Sequence, residues 1–426
     1  MYKISKVEIN GFWQKYDVRS VFDESVNVII GNNGTGKTTF MNILHAVLAV
    51  DVAGIAENEF SNVHVVLSHG KSSRQIRVTK NNDEAYSIIT YWVGRKKFNF
   101  PLFHSDDIRS GPATYRRRVM NEAISRIKEE MSSLVSLASL SVYRYRAVDS
   151  ESMERSTQRK FAGPVDLRLQ ELMQNLTAYQ LNLSQRAREI SANLQKDVLM
   201  SLLYRSNTEK NQVGYALDFD AEKERQAIVS AYEQLGITGV ALQRRVSEHV
   251  TAVGSTVEKI RKIINKKDDN YDLSVVDFAP LEASKRARMV SDMSLIAESK
   301  IDKIFSPVQL FLKQLHEFIT DKKFCFESGK LILSGQTEIT IQKLSSGEKQ
   351  LLILLTEALL QREQPFIFLA DEPELSLHIS WQRQIIPAVR SLNPTAQVIV
   401  ATHSPEVAGK FLNNIIDMAD ITNVQS

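Results

Sequence analysis

Cysteine is nearly missing: Cys325 is the single one in 426 residues. No intramolecular disulfide can form, and the count fits a reducing compartment. No stretch approaches the 18 uninterrupted apolar residues of a membrane span. The opening MYKISKVEINGFW lacks the apolar centre of a secretory leader. The expectation is a soluble, cytoplasmic protein with no membrane partner. A dominant charge of one sign is also lacking, because 53 Lys and Arg face 50 Asp and Glu for a net +3. That balance does not by itself indicate a nucleic-acid partner. The basic clusters Tyr115-Arg116-Arg117-Arg118 and Tyr143-Arg144-Tyr145-Arg146 are local, and read as solvated surface, ligand-proximal groups or a subunit contact rather than a nucleic-acid groove.

What the chain has is 43% hydrophobic residues, enough for one large or two smaller domains. Residues 1–163 form the expected N-terminal lobe, read as β-rich with one early helix to about residue 145. Lys3 to Phe12 alternates, Ser25 to Ile30 is a short apolar run ending at glycine, and Thr38 to Val50 has helical spacing. Strand-like runs follow at Val63 to Leu67, Arg74 to Thr79, Tyr86 to Val93 and Leu137 to Tyr145. Across 164–322 the texture changes to helical ladders. One is Leu169, Met173, Leu176, Leu183, Ala187, Ile190 and Leu194, with Gln180 its polar exception; another is Leu242, Val246, Val253, Val257, Ile260 and Ile264. A third carries Ile301, Ile304, Phe305, Val308, Leu312, Leu315 and Ile319. These predict a helical hairpin or small bundle inserted into the β-rich part. Residues 323–426 return to alternating β/α: a hairpin over Lys323 to Ile341, a helix from Ser346, strands at Pro365 to Ala370 and Gln397 to Thr402, and a final helix. The expected fold class is α/β, one two-lobed head with a mixed sheet split by a helical insertion.

Four motifs carry chemistry. Gly31-Asn32-Asn33-Gly34-Thr35-Gly36-Lys37-Thr38 fits G-x-x-x-x-G-K-[ST]. It follows a predicted strand and opens a predicted helix that includes Thr39, the context in which backbone N–H groups wrap phosphate oxygens. Lys37 would reach the β- and γ-phosphates of ATP, and Thr38 would offer a hydroxyl to Mg²⁺. Phe366 to Ala370 is an apolar strand ending in Asp371 and Glu372. Alternation points these carboxylates differently, so Asp371 suits the Mg²⁺ sphere and Glu372 suits polarising the attacking water. Leu344-Ser345-Ser346-Gly347-Glu348 opens a helix and is ordinary capping chemistry taken alone. In Val398 to Glu406, a strand delivers His403 and Ser404-Pro405 starts the next helix.

In their order along the chain the motifs resemble those of ABC-type ATPases over residues 1–145 and 323–415. The resemblance implies that Ser345 to Glu348 are the signature, with Ser346 and Glu348 standing for the usual Gly and Gln. It also implies that this signature binds the γ-phosphate held by a second copy, head to tail, and that His403 is the switch histidine contacting that phosphate. Glu374-Leu375-Ser376-Leu377-His378 takes the place of the D-loop, a subunit contact. Transporter ATPases fit poorly, since their helical subdomain is short and their Gln-loop has only Gln158 as a weak candidate here. The E-P-E-x-x-L-H and A-T-H-S-P forms resemble the branch of SMC, RecF and OLD proteins. OLD proteins continue into a TOPRIM nuclease, whereas this chain ends at Ser426. The resemblance therefore implies a separate effector nuclease, as for ATPase subunits of the PARIS (TOPRIM partner) and Septu (HNH partner) anti-phage systems, PARIS being favoured, with a phage-encoded trigger. A second reading is a DNA-repair or chromosome-maintenance ATPase holding duplex DNA. Adenine contacts stay open among Phe12, Trp13 and Tyr16, although an aromatic near an N-terminal strand is more often core.

Overall fold

The computed structural model describes residues 1–82, 87–102, 113–141, 163–201, 219–265, 276–334, 341–361, 364–375 and 377–424. The chain forms two compact units: Met1–Ala178 with Val308–Ser426, and Tyr179–Pro307.

The first unit begins with β1 (Lys3–Phe12), β2 (Tyr16–Val21) and β3 (Val26–Ile30). Helices α1 (Lys37–Ala49) and α2 (Val52–Glu57) follow, then β4 (Asn62–His69), β5 (Ser72–Asn82), β6 (Ser87–Val93) and β7 (Lys96–Leu102). Next are α3 (Ala113–Leu134) and β8 (Leu137–Ser141). Helices α4 (Pro164–Ser201), α5 (Ala221–Gln234), α6 (Val240–Asn265) and α7 (Ala279–Phe318) form the helical middle. The chain returns through β9 (Lys323–Glu327), β10 (Lys330–Ser334), α8 (Ser346–Leu360) and β11 (Ile367–Asp371). It continues with α9 (Ile379–Gln382), α10 (Ile385–Leu392), β12 (Gln397–Ala401) and α11 (Pro405–Ala408), and closes with β13 (Ile415–Asp417), α12 (Met418–Ile421) and β14 (Thr422–Val424).

Among the described residues two large sheets and the antiparallel pair β10-β9 make the head. An antiparallel sheet has the order β14-β2-β1-β4-β5-β6-β7. In it Val7 and Ile9 of β1 and Val63, Val65 and Leu67 of β4 turn inward on alternate positions, and Ile4 joins them across a register shift between Ile4 and Lys6. A parallel sheet has the order β13-β3-β12-β11-β8. Residues 366–370 and 398–401 are buried without alternation, as strands covered on both faces require. Helix α1 puts Phe40, Ile43, Leu44 and Val47 into the core these sheets share with Phe12, Tyr91, Ile367 and Ile399.

Two stretches differ from the sequence reading. Helix α3 occupies part of the segment read as β-rich. Its stripe Ile127, Met131 and partly Met120 and Ile124 packs into the head core, a helical spacing masked by the charged residues between. The expected final helix stops after Ala408. Chain beyond it is spent on β13, paired with Val28 to Ile30, and on β14, paired with Tyr16 to Val18. Sheet pairing with strands from the far end of the chain overrides the local helical pattern there.

In the second unit α5 and α6 meet around Ile228, Leu242 and Val246. Buried Glu224 accepts from Ser284 Oγ at 2.7 Å and Arg288 Nε at 2.8 Å. Helix α7 has 40 residues, about 60 Å of rise. The division between units falls at Pro307, inside this helix, where proline removes one backbone hydrogen bond.

Candidate nucleotide site

Strands β3, β12 and β11 are parallel neighbours, so their carboxyl ends deliver three loops to one edge of the sheet, the edge where open α/β sheets bind ligands. Register is fixed by Asp371 opposite Ala401 and Ala401 opposite Ile29.

The first loop, 31–36, joins β3 to α1. Gly36 sits at φ 95°, and a Cβ there would lie 2.8 Å from the Phe12 ring. Only glycine meets both conditions. Helix α1 starts at Lys37 with no side-chain cap and no acid in its first turn. Its leading N–H groups, including those of Thr38 and Thr39, therefore remain for an anion. Asn32, Asn33, Gly34 and Thr38 are exposed, while Lys37 is 4% exposed. Lys37 Nζ donates to Gly31 O at 2.9 Å, Asn32 O at 3.3 Å and His403 Nε2 at 2.6 Å. Burial pulls its ammonium below the ordinary value, and the carboxylates of Glu372 and Asp371 pull it back up.

The second loop follows β11. Asp371 Oδ1 accepts from Thr38 Oγ1 at 3.3 Å. Glu372 turns the chain at φ 47°, unusual for a residue with a side chain. It is held by its N–H on Ala401 O at 2.8 Å. Its Oε2 accepts from His403 N at 3.2 Å, and its Oε1 lies 3.5 Å from His403 Nε2. Burial first, then the adjoining Glu374 carboxyl and the Asp371 charge, push the Glu372 carboxyl up to about 8.

The third loop follows β12 and carries His403. Ser404 caps α11 by accepting from Glu406 N at 3.2 Å, with Pro405 in the first turn.

Lys37, Thr38, Asp371, Glu372 and His403 are thus joined by direct bonds. Ser345, Ser346, Gly347 and Glu348 instead form the N-terminus of α8. Ser345 Oγ accepts from Glu348 N at 3.3 Å, and Glu348 Oε2 accepts from Ser345 N at 2.8 Å, a capping box. Glu348 Oε1 pairs with Lys322 Nζ at 2.6 Å. This turn is tied to the β11 loop through Gln350 Nε2, which reaches Pro373 O at 3.5 Å. Further along, Lys349 pairs with Asp166 at 2.8 Å, and Glu357 with Arg168.

Phe12 is fully buried core. Trp13 packs on it with ring centroids 4.8 Å apart and borders Gly36. Tyr16 is partly buried against the same core. Tyr143 to Arg146, Gln158 and Ser376 lie outside the described residues, as do the side chains of Tyr115 to Arg118. Sequence reading assigned Glu374 to a subunit contact and did not single out Lys322. The E-P-E spacing was the available signal for the first; nothing local pointed to the second.

The profile of the AAA ATPase domain family matches residues 2–408. The chain belongs to that family. ATP hydrolysis is the activity of this AAA ATPase. The retron Vc95 probable ATPase of Vibrio cholerae serotype O1 biovar El Tor is 23% identical over 399 residues, covering 90% of this chain and 67% of that protein. The retron Ec83 probable ATPase of Escherichia coli is 32% identical over 88 residues, 18% of this chain and 16% of that protein. Septu protein PtuA of Bacillus thuringiensis is 30% identical over 118 residues, 23% and 30% of the two chains. This ATPase thus spans two-thirds of the Vibrio protein and under a third of the other two. Among solved structures it is similar to the Smc head domain with an extended coiled coil of Pyrococcus furiosus, at TM-score 0.43 and 15% identity, covering 100% of this chain and 96% of that one. The SMC head domain of Thermotoga maritima gives TM-score 0.37 at 10% identity, covering 96% and 91%.

Among the described residues no group of three or more His, Cys, Asp or Glu is placed to hold a metal. The Thr38 hydroxyl beside the Asp371 carboxylate nevertheless fits Mg²⁺, a hard cation that takes one or two protein oxygens and relies on phosphates for others. No helix among the described residues is long and apolar enough to cross a membrane.

Proposed function

We propose that this ATPase is the sensor and scaffold subunit of a bacterial anti-phage system, in which two copies close head to tail over ATP and control a separate effector nuclease. The observation that carries the reading is the direct bonding of Lys37, Thr38, Asp371, Glu372 and His403 at one sheet edge. Support for the second copy is the exposed Ser345-Ser346 turn of α8. Ser345 is bonded to Glu348, whose carboxylate pairs with Lys322, and the turn offers helix N–H groups to an anion.

The chemistry follows from what each residue can hold. Phosphate arriving in the loop takes Lys37 from the Gly31 and Asn32 carbonyls and from His403. Thr38 and Asp371 would hold Mg²⁺, which neutralises charge on the β- and γ-phosphate oxygens when bound. Glu372 orients the attacking water and takes its proton as the new P–O bond forms and the bond to the β-phosphate breaks. His403 then contacts the γ-phosphate oxygens, and the partner's signature turn contacts them from the other side.

The relatives named for retrons and for Septu support the defence role. Effector type is read from the neighbouring reading frame. A TOPRIM-like product fits the PARIS-like reading, an HNH-like product the Septu-like one, and a repair nuclease contradicts the defence role. The enzymatic part is tested with Glu372→Gln. It should bind ATP, lose turnover and accumulate as an ATP-dependent dimer in light scattering. Unchanged turnover would remove Glu372 as the base.

A further inference from the structure

Glu374 was assigned to a subunit contact by sequence, yet its side chain points into the protein and is 7% exposed. One oxygen, Oε1, accepts from three donors on three consecutive residues: Thr402 Oγ1, His403 N at 3.2 Å and Ser404 N at 3.2 Å. Thr402, fully buried, spends its hydroxyl on Glu374 while accepting from Ser404 N at 2.9 Å. The His403 N–H is shared between Glu374 Oε1 and Glu372 Oε2, both at 3.2 Å. The other oxygen, Oε2, is buried with no donor among the described residues, and the carboxyl adjoins that of Glu372.

This is an expensive way to hold a loop. A buried carboxylate beside a second carboxylate is disfavoured unless its bonds are needed, and among the described residues Glu374 Oε1 is the one oxygen that accepts from all three of residues 402–404. A loop of three residues gathered on one oxygen can shift only as a unit.

We propose that Glu374 is a positioning residue for ATP hydrolysis, clamping the 402–404 loop to the turn after β11 so that His403 and Glu372 address the γ-phosphate and the water together. The proposal rests on the roles given above to Glu372 and His403. Glu374 is not itself a catalytic residue, because its burial and saturated Oε1 keep it from the substrate. Its place in the chain gives it a second connection. Pro373, its neighbour, accepts from Gln350 of α8 at 3.5 Å, so the clamp lies between the switch loop and the signature helix.

The test measures kcat and KM for Mg-ATP in the full chain for Glu374→Ala, Glu374→Gln and Glu372→Gln, with thermal melting as control. Loss of the clamp should lower kcat of Glu374→Ala by about 100-fold, the cost of ångström-scale misplacement, with KM changed less than about threefold. An amide oxygen can still accept from 402–404, so Glu374→Gln should recover kcat to within about fivefold of wild type. Should Glu374→Ala fail to fold, Thr402→Val removes one clamp bond in the same shape and should lower kcat by about 10-fold at unchanged KM. Wild-type kcat in folded Glu374→Ala, beside an inactive Glu372→Gln, overturns the clamp alone. So does a folded Glu374→Gln as slow as Glu374→Ala. An active Glu372→Gln overturns the reading on which the clamp rests.

Discussion

Lys37 Nζ and His403 Nε2 lie 2.6 Å apart, joining loops 366 positions apart in sequence. An ammonium only donates, so the His403 ring accepts in this contact. Nucleotide must break this bond to engage either residue. His403→Ala should therefore leave KM for ATP unchanged or lower it, because Lys37 loses a competing acceptor. Its kcat should fall about 100-fold with the loss of a γ-phosphate contact. Steady-state kinetics with Mg-ATP separates the two effects, and a raised KM at normal kcat contradicts the assignment.

The Glu372 carboxyl predicts how the nucleotide-free protein responds to pH. Its folded value stands near 8 against an ordinary 4.5. The contribution to stability is thus full below 4.5 and lost as pH rises through 8. Glu372→Gln is neutral throughout and escapes that loss. Scanning calorimetry should find the variant melting about 2 °C higher than wild type at pH 9 and no higher at pH 5, a modest size because the group is partly solvated. Parallel melting curves across pH contradict the shift.

Lys322 pairs with a glutamate where the resembled signature has a neutral glutamine. Bonds to Lys322 and to the Ser345 N–H hold the Glu348 carboxyl below its ordinary value, against the upward pull of burial, so it stays charged. Lys322→Ala leaves that charge beside the turn expected to meet a γ-phosphate. Fluorescent-nucleotide binding to the single chain should be unchanged while ATPase rate falls about 10-fold through like-charge repulsion. Normal turnover in the variant contradicts a role for this turn in the reaction.

Gly36→Ala tests the cradle directly. The added methyl meets the Phe12 ring at 2.8 Å and takes a φ of 95°, together costing about 1–3 kcal/mol and displacing the loop. ATP binding should fall at least about 10-fold by calorimetric titration. Retained affinity contradicts the geometry assigned to residues 31–38.

Much of the fold is legible because it is local. Val26 to Ile30, the glycine loop and the Lys37 helix stand within one short window, and Phe366 to Asp371 is apolar enough to read as a covered strand without knowing its neighbours. Three helices of the middle show in the spacing of Leu169, Leu176 and Leu183, of Val246, Val253 and Val257, and of Val308, Leu312 and Leu315, whereas α5 (Ala221–Gln234) is not read from the sequence. What is hidden depends on distant partners. Helix α3 carries its apolar stripe thinly, and the segment after Ala408 becomes strands because Val28 and Val18 are there to pair with Ile415 and Thr422. The candidate site divides the same way. Lys37, Asp371 and Glu372 announce themselves by motif, whereas the work of Glu374 is visible only once β11 and β12 lie side by side and bring residues 402–404 to its carboxylate.

The account turns on one triphosphate being held by two copies of the chain. Its most direct measurement is a structure of Glu372→Gln with ATP and Mg²⁺. The expected result is a head-to-tail pair, with backbone N–H groups of residues 345–347 from one copy within hydrogen-bond reach of the γ-phosphate gripped by Lys37 of the other. A nucleotide-bound structure in which that turn faces solvent, or contacts only its own chain, contradicts it.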